Sequence, residues 1–352
     1  MKNESLAGEN PFATLLSEVE AEVSARLRTV LGESQRQASG RGREVRHMVS
    51  AVASLSLRGG KRLRAALCTV GGLCASGRAA REPLLQAGVA LELLQSYFLI
   101  HDDWMDGDAL RRGGPTAHVT LSARLGSEAL GERAAILAGD HAVAMAQLEL
   151  AGVSASAQRK VQALRTFAEM QLDAVAGQQR DVVGQAANVE QTYVLKTASY
   201  TVTGPLVLGA QLAGARPPTV AALRAFGKPA GVAFQLRDDL IGAFGDSRLT
   251  GKPRGADLLA GKATPLLRHG RRLLSGAGRR KLERVVGRRG AERGEVEAAL
   301  LALETSGAKA LVERRIEVLR REAVDTLSDA SISPRGRELL QGALERLLAR
   351  HV

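Results

Sequence analysis

The stretch Leu91-Glu92-Leu93-Leu94-Gln95-Ser96-Tyr97-Phe98-Leu99-Ile100-His101-Asp102-Asp103-Trp104-Met105-Asp106 decides how this chain is read. Apolar residues dominate from Leu91 to Ile100, and three carboxylates close the segment. Asp102 and Asp106 are four residues apart, so on a helix their carboxylates share one face, one turn from each other. Acids late in an apolar helix are disfavoured by the macrodipole and repel one another. An acidic first turn does not account for them, because here the acids come last. A hard cation does: Mg²⁺ is held through one or two carboxylates together with substrate phosphate oxygens. Just beyond lies Arg111-Arg112-Gly113-Gly114-Pro115, whose paired guanidinium groups suit direct, bidentate contact with phosphate.

Outward from this segment, the chain reads as all-α. Its 352 residues are 45% hydrophobic and 24% charged, which gives an ordinary globular chain enough apolar material for one large core. Aromatics are only 3%, and Ala and Leu among Arg, Glu and Gln favour helix, where these side chains lose little rotamer freedom. Residues 1–10 read as a frayed tail, and Pro11 opens an amphipathic segment through Val30. A polar stretch from Glu33 to Arg43 interrupts the pattern. Helical segments then alternate with breaks at Arg58-Gly59-Gly60, Gly113-Gly114-Pro115, Gly152 to Ala157, Arg216-Pro217-Pro218 and Gly251 to Gly255. No strand pair or Asn-Gly hairpin stands out. The expectation is a single large helical bundle spanning residues 1–352, with no dividing linker.

The net charge of +12 suits a polyanionic partner, and much of the excess lies between Arg268 and Arg293. That run lacks aromatics to stack on bases, so it reads as a solvated helical hairpin and no nucleic-acid partner is expected. Cys68 and Cys74 have no metal-ligand spacing and read as reduced core thiols. The polar start has no apolar leader core, and the apolar runs look too interrupted to span a membrane, so a cytoplasmic location is expected.

A second acidic segment, Gln235-Leu236-Arg237-Asp238-Asp239-Leu240-Ile241-Gly242, lies downstream. With it, the first cluster and its arginine loop closely resemble the aspartate-rich motifs of the trans-prenyltransferases, the farnesyl and geranylgeranyl diphosphate synthases. Five motifs stand in that family's order between about residues 55 and 270. The chain departs at Gly242, where the family's second motif carries a third aspartate. Asp246 is two turns from Asp238, roughly 12 Å along a helix, too far to share one ion directly.

The resemblance implies a Mg²⁺-dependent prenyltransferase that joins isopentenyl diphosphate to dimethylallyl, geranyl or farnesyl diphosphate by ionising the allylic C–O bond. It implies metal ligation by Asp102, Asp103 and Asp106 and by Asp238, with Asp239 contacting the site more weakly. Arg111, Lys196, Lys252 and Lys262 would hold the allylic diphosphate. Lys61, Arg64, Gln95 and Arg112 would hold isopentenyl diphosphate. The Lys196 carbonyl, Thr197 and Gln235 would steady the carbocation. Lys196-Thr197 resembles the family's helix kink, Gly251 to Thr264 its two-lysine loop, and Gly177-Gln178 a motif lining its cavity. The family is usually homodimeric.

Phe98 is one turn before Asp102 on nearly the same face, and Tyr97 points further round. In the family, aromatics at both positions accompany C15 products, so farnesyl diphosphate is favoured over geranylgeranyl diphosphate. His101 and His118 read as packing or supporting residues, since the cation prefers oxygen. Three rivals remain at this stage. They are a terpene cyclase or head-to-head synthase on the same fold, a non-catalytic partner subunit suggested by Gly242, and a nucleic-acid-binding helical protein suggested by charge alone. Lys61, Arg64 and Arg112 supply a second diphosphate pocket that a cyclase lacks.

Overall fold

The helices follow the apolar pattern and the breaks follow the glycines and prolines. The computed structural model describes residues 10–78, 80–184, 188–245 and 254–349. Among them, helices α1 (Pro11–Ala38), α2 (Arg43–Leu57), α3 (Leu63–Ser76) and α4 (Arg81–Met105) come first. A two-residue hairpin, β1 (Leu110–Arg111) with β2 (Gly114–Pro115), follows. Then come α5 (Ala117–Leu125), α6 (Glu128–Ala151), α7 (Ala157–Val183) and α8 (Val189–Tyr193), which runs into a π-helical segment, Val194–Thr203. The rest are α9 (Gly204–Leu212), α10 (Pro217–Phe244), α11 (Ala256–Leu259), α12 (Pro265–Leu273), α13 (Gly276–Val285), α14 (Arg293–Thr305), α15 (Ala308–Asp325) and α16 (Pro334–Leu348). The all-α expectation holds. Two local expectations change. Leu31 and Ala38 are buried, which carries α1 through the polar stretch to Ala38. The arginine loop, expected to lack strands, closes as β1–β2, with Leu110 opposite Pro115 and Arg111 opposite Gly114.

The chain divides into two compact units. The first comprises residues up to Phe167, Pro205–Val220 and Ser331–Ala343. Its axis is α4, against which α1, α2, α3, α5 and α6 pack. Leu91, Leu93, Leu94 and Ile100 are fully buried, each stabilising the fold by about 1.5–3 kcal/mol relative to exposure. The long apolar run of α4 passes a length-and-composition test for a membrane span, contrary to the expectation of interrupted runs, yet 72% of it is buried inside the protein. It is a core helix. Helices α3 and α9 touch backbone to backbone: a Cβ on Gly71 would collide with the Leu206 carbonyl, and one on Gly209 with the Cys68 carbonyl. Cys68 and Cys74, free thiols, are buried in this unit.

The second unit comprises Ala168–Gly204, Ala221–Ala330 and the residues from Leu344. Its core joins Ala198, Val232, Leu236 and Leu240 to Leu266, Leu282, Leu300 and Leu303 and to Val312, Ile316 and Leu319 of α15. The basic run occupies α12, α13 and the start of α14, with most of its arginines exposed. Arg271 and Arg279 converge on Glu283, at 2.9 and 2.7 Å.

Candidate active site

In the first unit, the three aspartates are not equivalent. Asp102 and Asp106 are half-buried at the end of α4, where the Asp106 N–H donates to the Asp102 carbonyl at 2.8 Å. Asp103 points inward. It is fully buried and is gripped by the Arg111 guanidinium, whose Nε donates to Oδ1 at 2.7 Å and whose Nη2 is also in contact. The same guanidinium reaches Asp108 at 3.4 Å. Burial works against the Arg111 charge, but its bonds to Asp103 and the charges of Asp103, Asp108 and Asp102 hold its pKa above the ordinary value. Arg111 is therefore tied down by a buried carboxylate as well as being offered to an anion.

The neighbouring basic pocket is built by backbone geometry. Arg112 sits at φ 52 and donates from Nη1 to the Gly59 carbonyl at 2.6 Å. Gly60, at φ 126, leaves room for it: a Cβ there would stand 3.0 Å from Arg112 Nη2. Burial lowers the Arg112 pKa, with Arg62, Arg64 and Arg111 adding repulsion and Glu92 opposing it. Lys61 is exposed, and Arg64 lies in the first turn of α3, half-buried. Gln95 is buried on α4. Two residues unassigned from sequence hold this pocket. Arg58 donates to the carbonyls of Arg111 at 3.1 Å and Pro115 at 2.8 Å. Arg62 makes a buried ion pair with Glu92 at 2.8 Å, beneath the pocket. A run of RGGKR followed by RRG signals an anion pocket, but not which arginines face inward.

In the second unit, α10 presents a stripe at four-residue spacing: Gly227, Gly231, Gln235 and Asp239. The two glycines let the π-helical segment lie directly on α10, since a Cβ on Gly227 would meet Thr203 and one on Gly231 would meet Ala198. Further along the stripe, Thr197 Oγ1 donates to Gln235 Oε1 at 2.7 Å, and Gln235 Nε2 donates to Asp239 Oδ1 at 2.9 Å. The Tyr193 hydroxyl donates to Asp239 Oδ2. Burial pushes the Asp239 carboxyl well above the usual carboxylate range, and the charge of Asp257 adds to it, while the bonds from Tyr193 and Gln235 pull the other way. Burial and the adjacent Asp239 raise the Tyr193 hydroxyl. Asp238, by contrast, is exposed.

Lys196 and Thr197 lie inside the π-helical segment, a widened turn of the kind that clusters at functional sites. Lys196 Nζ is paired with Asp181 Oδ2 at 2.6 Å. Gly177 of α7 allows the approach, since its Cβ would come within 2.6 Å of Lys196 Cα. Asp181, Tyr193 and Asp257 had no motif to give them away. Lys262 is half-buried, and its N–H donates to the Asp257 carbonyl at 2.9 Å. Lys252 and Asp246 lie outside the described residues.

Phe98 is buried and Tyr97 half-buried, their ring centroids 4.8 Å apart. His101 stands edge-on to Tyr97, with Nε2 3.1 Å from the Ile136 carbonyl, and His118 Nδ1 is 3.3 Å from Thr116 Oγ1. Both make local packing contacts.

Among the described residues, no group of three or more His, Cys, Asp or Glu side chains forms a ready-made metal cage. The first unit offers a pair of half-buried carboxylates one turn apart, and the second, by itself, an exposed Asp238, all hard oxygen donors. Each fits Mg²⁺, which keeps waters and takes further oxygens from a phosphate ligand.

The Polyprenyl synthetase family profile matches residues 45–303. The geranylfarnesyl diphosphate synthase of Aeropyrum pernix is 32% identical over 306 residues, covering 83% of this chain and 91% of that protein. The geranylgeranyl diphosphate synthase of Mycobacterium tuberculosis is 39% identical over 210 residues, 58% of this chain and 57% of that one. The crystal structure of geranylgeranyl pyrophosphate synthase from Corynebacterium glutamicum, complexed with isoprenyl diphosphate and magnesium, matches with a TM-score of 0.89 and 31% identity. That match covers 96% of this chain and 99% of the other. With two aspartate segments, an arginine pocket and a π-turn lysine laid out on a fold shared from end to end, the chain belongs to the polyprenyl synthetase family, the trans-isoprenyl diphosphate synthases.

Proposed function

We propose that this chain is a short-chain prenyl diphosphate synthase. It condenses isopentenyl diphosphate with an allylic diphosphate and releases diphosphate. The observation that carries this reading lies within the first unit: the Asp102/Asp106 pair is followed by a loop whose Arg112 closes onto Gly59, beside Lys61 and Arg64. Carboxylates that can hold a metal thus adjoin a separate basic pocket for a second diphosphate. A cyclase, with one diphosphate substrate, has no need of that pocket.

Mg²⁺, when bound, supplies the neutralising charge that lets an allylic C–O bond ionise. In the first unit Asp102 and Asp106 would hold metal, while Asp103 positions Arg111; in the second, Asp238 would hold metal and Asp239 anchors the Thr197–Gln235 chain. In the first unit Arg111 would exchange part of its contact with Asp103 for diphosphate oxygens; in the second, Lys196 would do so with its contact to Asp181, and Lys252 and Lys262 would add further positive charge. The second oxygen lone pairs of Thr197 and Gln235 offer negative dipole to the developing carbocation without acting as nucleophiles. Isopentenyl diphosphate, held by Lys61, Arg64, Gln95 and Arg112, attacks through its double bond. The new C–C bond forms at the allylic carbon and the proton lost goes to the released diphosphate.

Two considerations bear on product length. Aromatic rings at 97 and 98 favour a C15 stop, whereas the relatives above carry the names of C20 and C25 synthases. We assign the stop to Phe98, whose removal lengthens the product whatever the parent length. The chain acts as a homodimer through α6, where Leu130, Leu137 and Leu148 are exposed along one stripe, and it works in the cytoplasm on soluble substrates. The test is to incubate the protein with Mg²⁺, isopentenyl diphosphate and each of the C5, C10 and C15 allylic diphosphates, and to measure product length. Condensation with at least one primer is expected. None with any primer overturns the proposal and favours the cyclase or partner-subunit readings.

A further inference from the structure

The hairpin that carries Arg111 and Arg112 is closed by two residues, Arg112 at φ 52 and Gly113 at φ 73. Positive φ at both loop positions is the pattern of a type I′ turn, whose first position ordinarily takes Asn, Asp or Gly. A long side chain is uncommon in this region and persists where the surrounding structure over-determines it. Its consequence here is that successive arginines part company. Arg111 runs to the buried Asp103, Nε to Oδ1 at 2.7 Å, while Arg112 runs to the Gly59 carbonyl at 2.6 Å.

The over-determining contact comes from Arg58, the half-buried residue that ends α2. Its Nη1 donates to the Arg111 carbonyl at 3.1 Å and to the Pro115 carbonyl at 2.8 Å, and its Nη2 donates to Ser54 Oγ at 3.0 Å. The Arg111 carbonyl belongs to the planar peptide unit that joins the two arginines. Only ψ of Arg111 and φ of Arg112 turn that plane, so pinning its oxygen resists the rotation that would return Arg112 to negative φ. The Arg58 guanidinium also lies against Gly114, where a Cβ would stand 2.6 Å from Arg58 Cζ. The two grips are reciprocal: Arg58 holds the backbone of the hairpin, and Arg112 from the hairpin holds the backbone of Gly59, the residue after Arg58.

We infer that Arg58 is a positioning residue for the isopentenyl diphosphate pocket. It fixes the peptide between Arg111 and Arg112, and so keeps Arg112 turned into that pocket while Arg111 stays with Asp103. It acts through Arg112 and not on the diphosphate itself. The inference rests on the synthase reading for the identity of the anion, but its test does not depend on turnover.

The test is a double-variant cycle on isopentenyl diphosphate affinity, measured by calorimetry with Mg²⁺ and no allylic partner. Arg58→Met should weaken binding by about 10-fold, the scale of one charge-assisted hydrogen bond. In an Arg112→Met background the same change should cost no more than about twofold, because no Arg112 side chain remains to be aimed. Geranyl diphosphate, titrated alone, should lose no more than about threefold, since Asp103 still holds Arg111. The loss should persist at high salt, which screens a guanidinium acting only as a surface charge. Gly114→Ala should reproduce it by displacing the Arg58 guanidinium. That variant decides if Arg58→Met does not fold: a Gly114→Ala protein that binds as tightly as the parent then overturns the inference. Equal losses in both backgrounds, equal losses for the two diphosphates, or a loss abolished by salt also overturn it. A parent that shows this cycle in binding yet condenses nothing sinks the synthase reading and leaves the role of Arg58 standing. A parent that condenses normally, with Arg58→Met binding isopentenyl diphosphate equally well, sinks the role of Arg58 alone.

Discussion

Replacing Asp103 and Asp102 one at a time should separate a structural aspartate from a metal-binding one within a single motif. Asp103 is fully buried and its partner Arg111 retains 21% side-chain exposure. Removing one member of a fully buried pair costs about 3–5 kcal/mol. The partial exposure of Arg111 lets water recover some of that, and an asparagine still accepts one hydrogen bond, so Asp103→Asn should cost about 2–3 kcal/mol, the worth of a charge-assisted bond. For a chain of this length that is a fall of about 4–6 °C in melting temperature, at roughly 2 °C per kcal/mol. Asp102 is half-buried at a helix end, and Asp102→Asn should change stability by no more than about 0.5 kcal/mol. Turnover should show the reverse order: a loss of at least about 100-fold for Asp102→Asn, and about 10-fold for Asp103→Asn through a loosened Arg111. Urea unfolding and diphosphate release, measured on the same preparations, read both quantities. An Asp103→Asn variant as stable as the parent that loses as much turnover as Asp102→Asn would refute this division and make Asp103 a metal ligand.

Other outcomes follow from the same geometry. Phe98→Ala should shift the product to longer chains by at least one isoprene unit, read by chromatography of the dephosphorylated alcohols; an unchanged product removes Phe98 from the floor of the site. Burial raises the Asp239 carboxyl, so the folded state holds that proton more tightly than the unfolded chain does. Its stabilising contribution is complete below the unfolded carboxylate range, about pH 4, and is lost as pH rises through the elevated value. Asp239→Asn should therefore raise the melting temperature of the metal-free protein at about pH 8 and flatten its pH dependence; a lower melting temperature there contradicts the assignment. Burial pushes the Cys68 and Cys74 thiols up to about 12, so neither should react with a disulfide reagent in the native protein and both should react in urea.

The parts of the fold that sequence reveals are those governed by local spacing. Asp102 and Asp106 declare themselves by four-residue separation, and the apolar run before them announces α4. The pairing of Arg111 with Asp103 is not legible, because the motif contains three aspartates and only burial distinguishes the inward one. The extension of α1 to Ala38 is hidden because Leu31 and Ala38 are the sparse apolar contacts of a largely polar turn. The stripe Gly227, Gly231, Gln235 and Asp239 is visible once four-residue spacing is sought, yet its partner is a π-helical segment whose register does not follow that period. Asp181 and Asp257 meet Lys196 and Gly242 from elsewhere in the chain, and no spacing rule connects them.

The central claim is metal-assisted condensation, and release of inorganic diphosphate tests it most directly. Purified protein given isopentenyl diphosphate and an allylic diphosphate should release one diphosphate for each isopentenyl unit added. Release should stop with EDTA, return with Mg²⁺, and nearly vanish in Asp102→Asn. No release with Mg²⁺, or release undiminished by EDTA, would contradict the account.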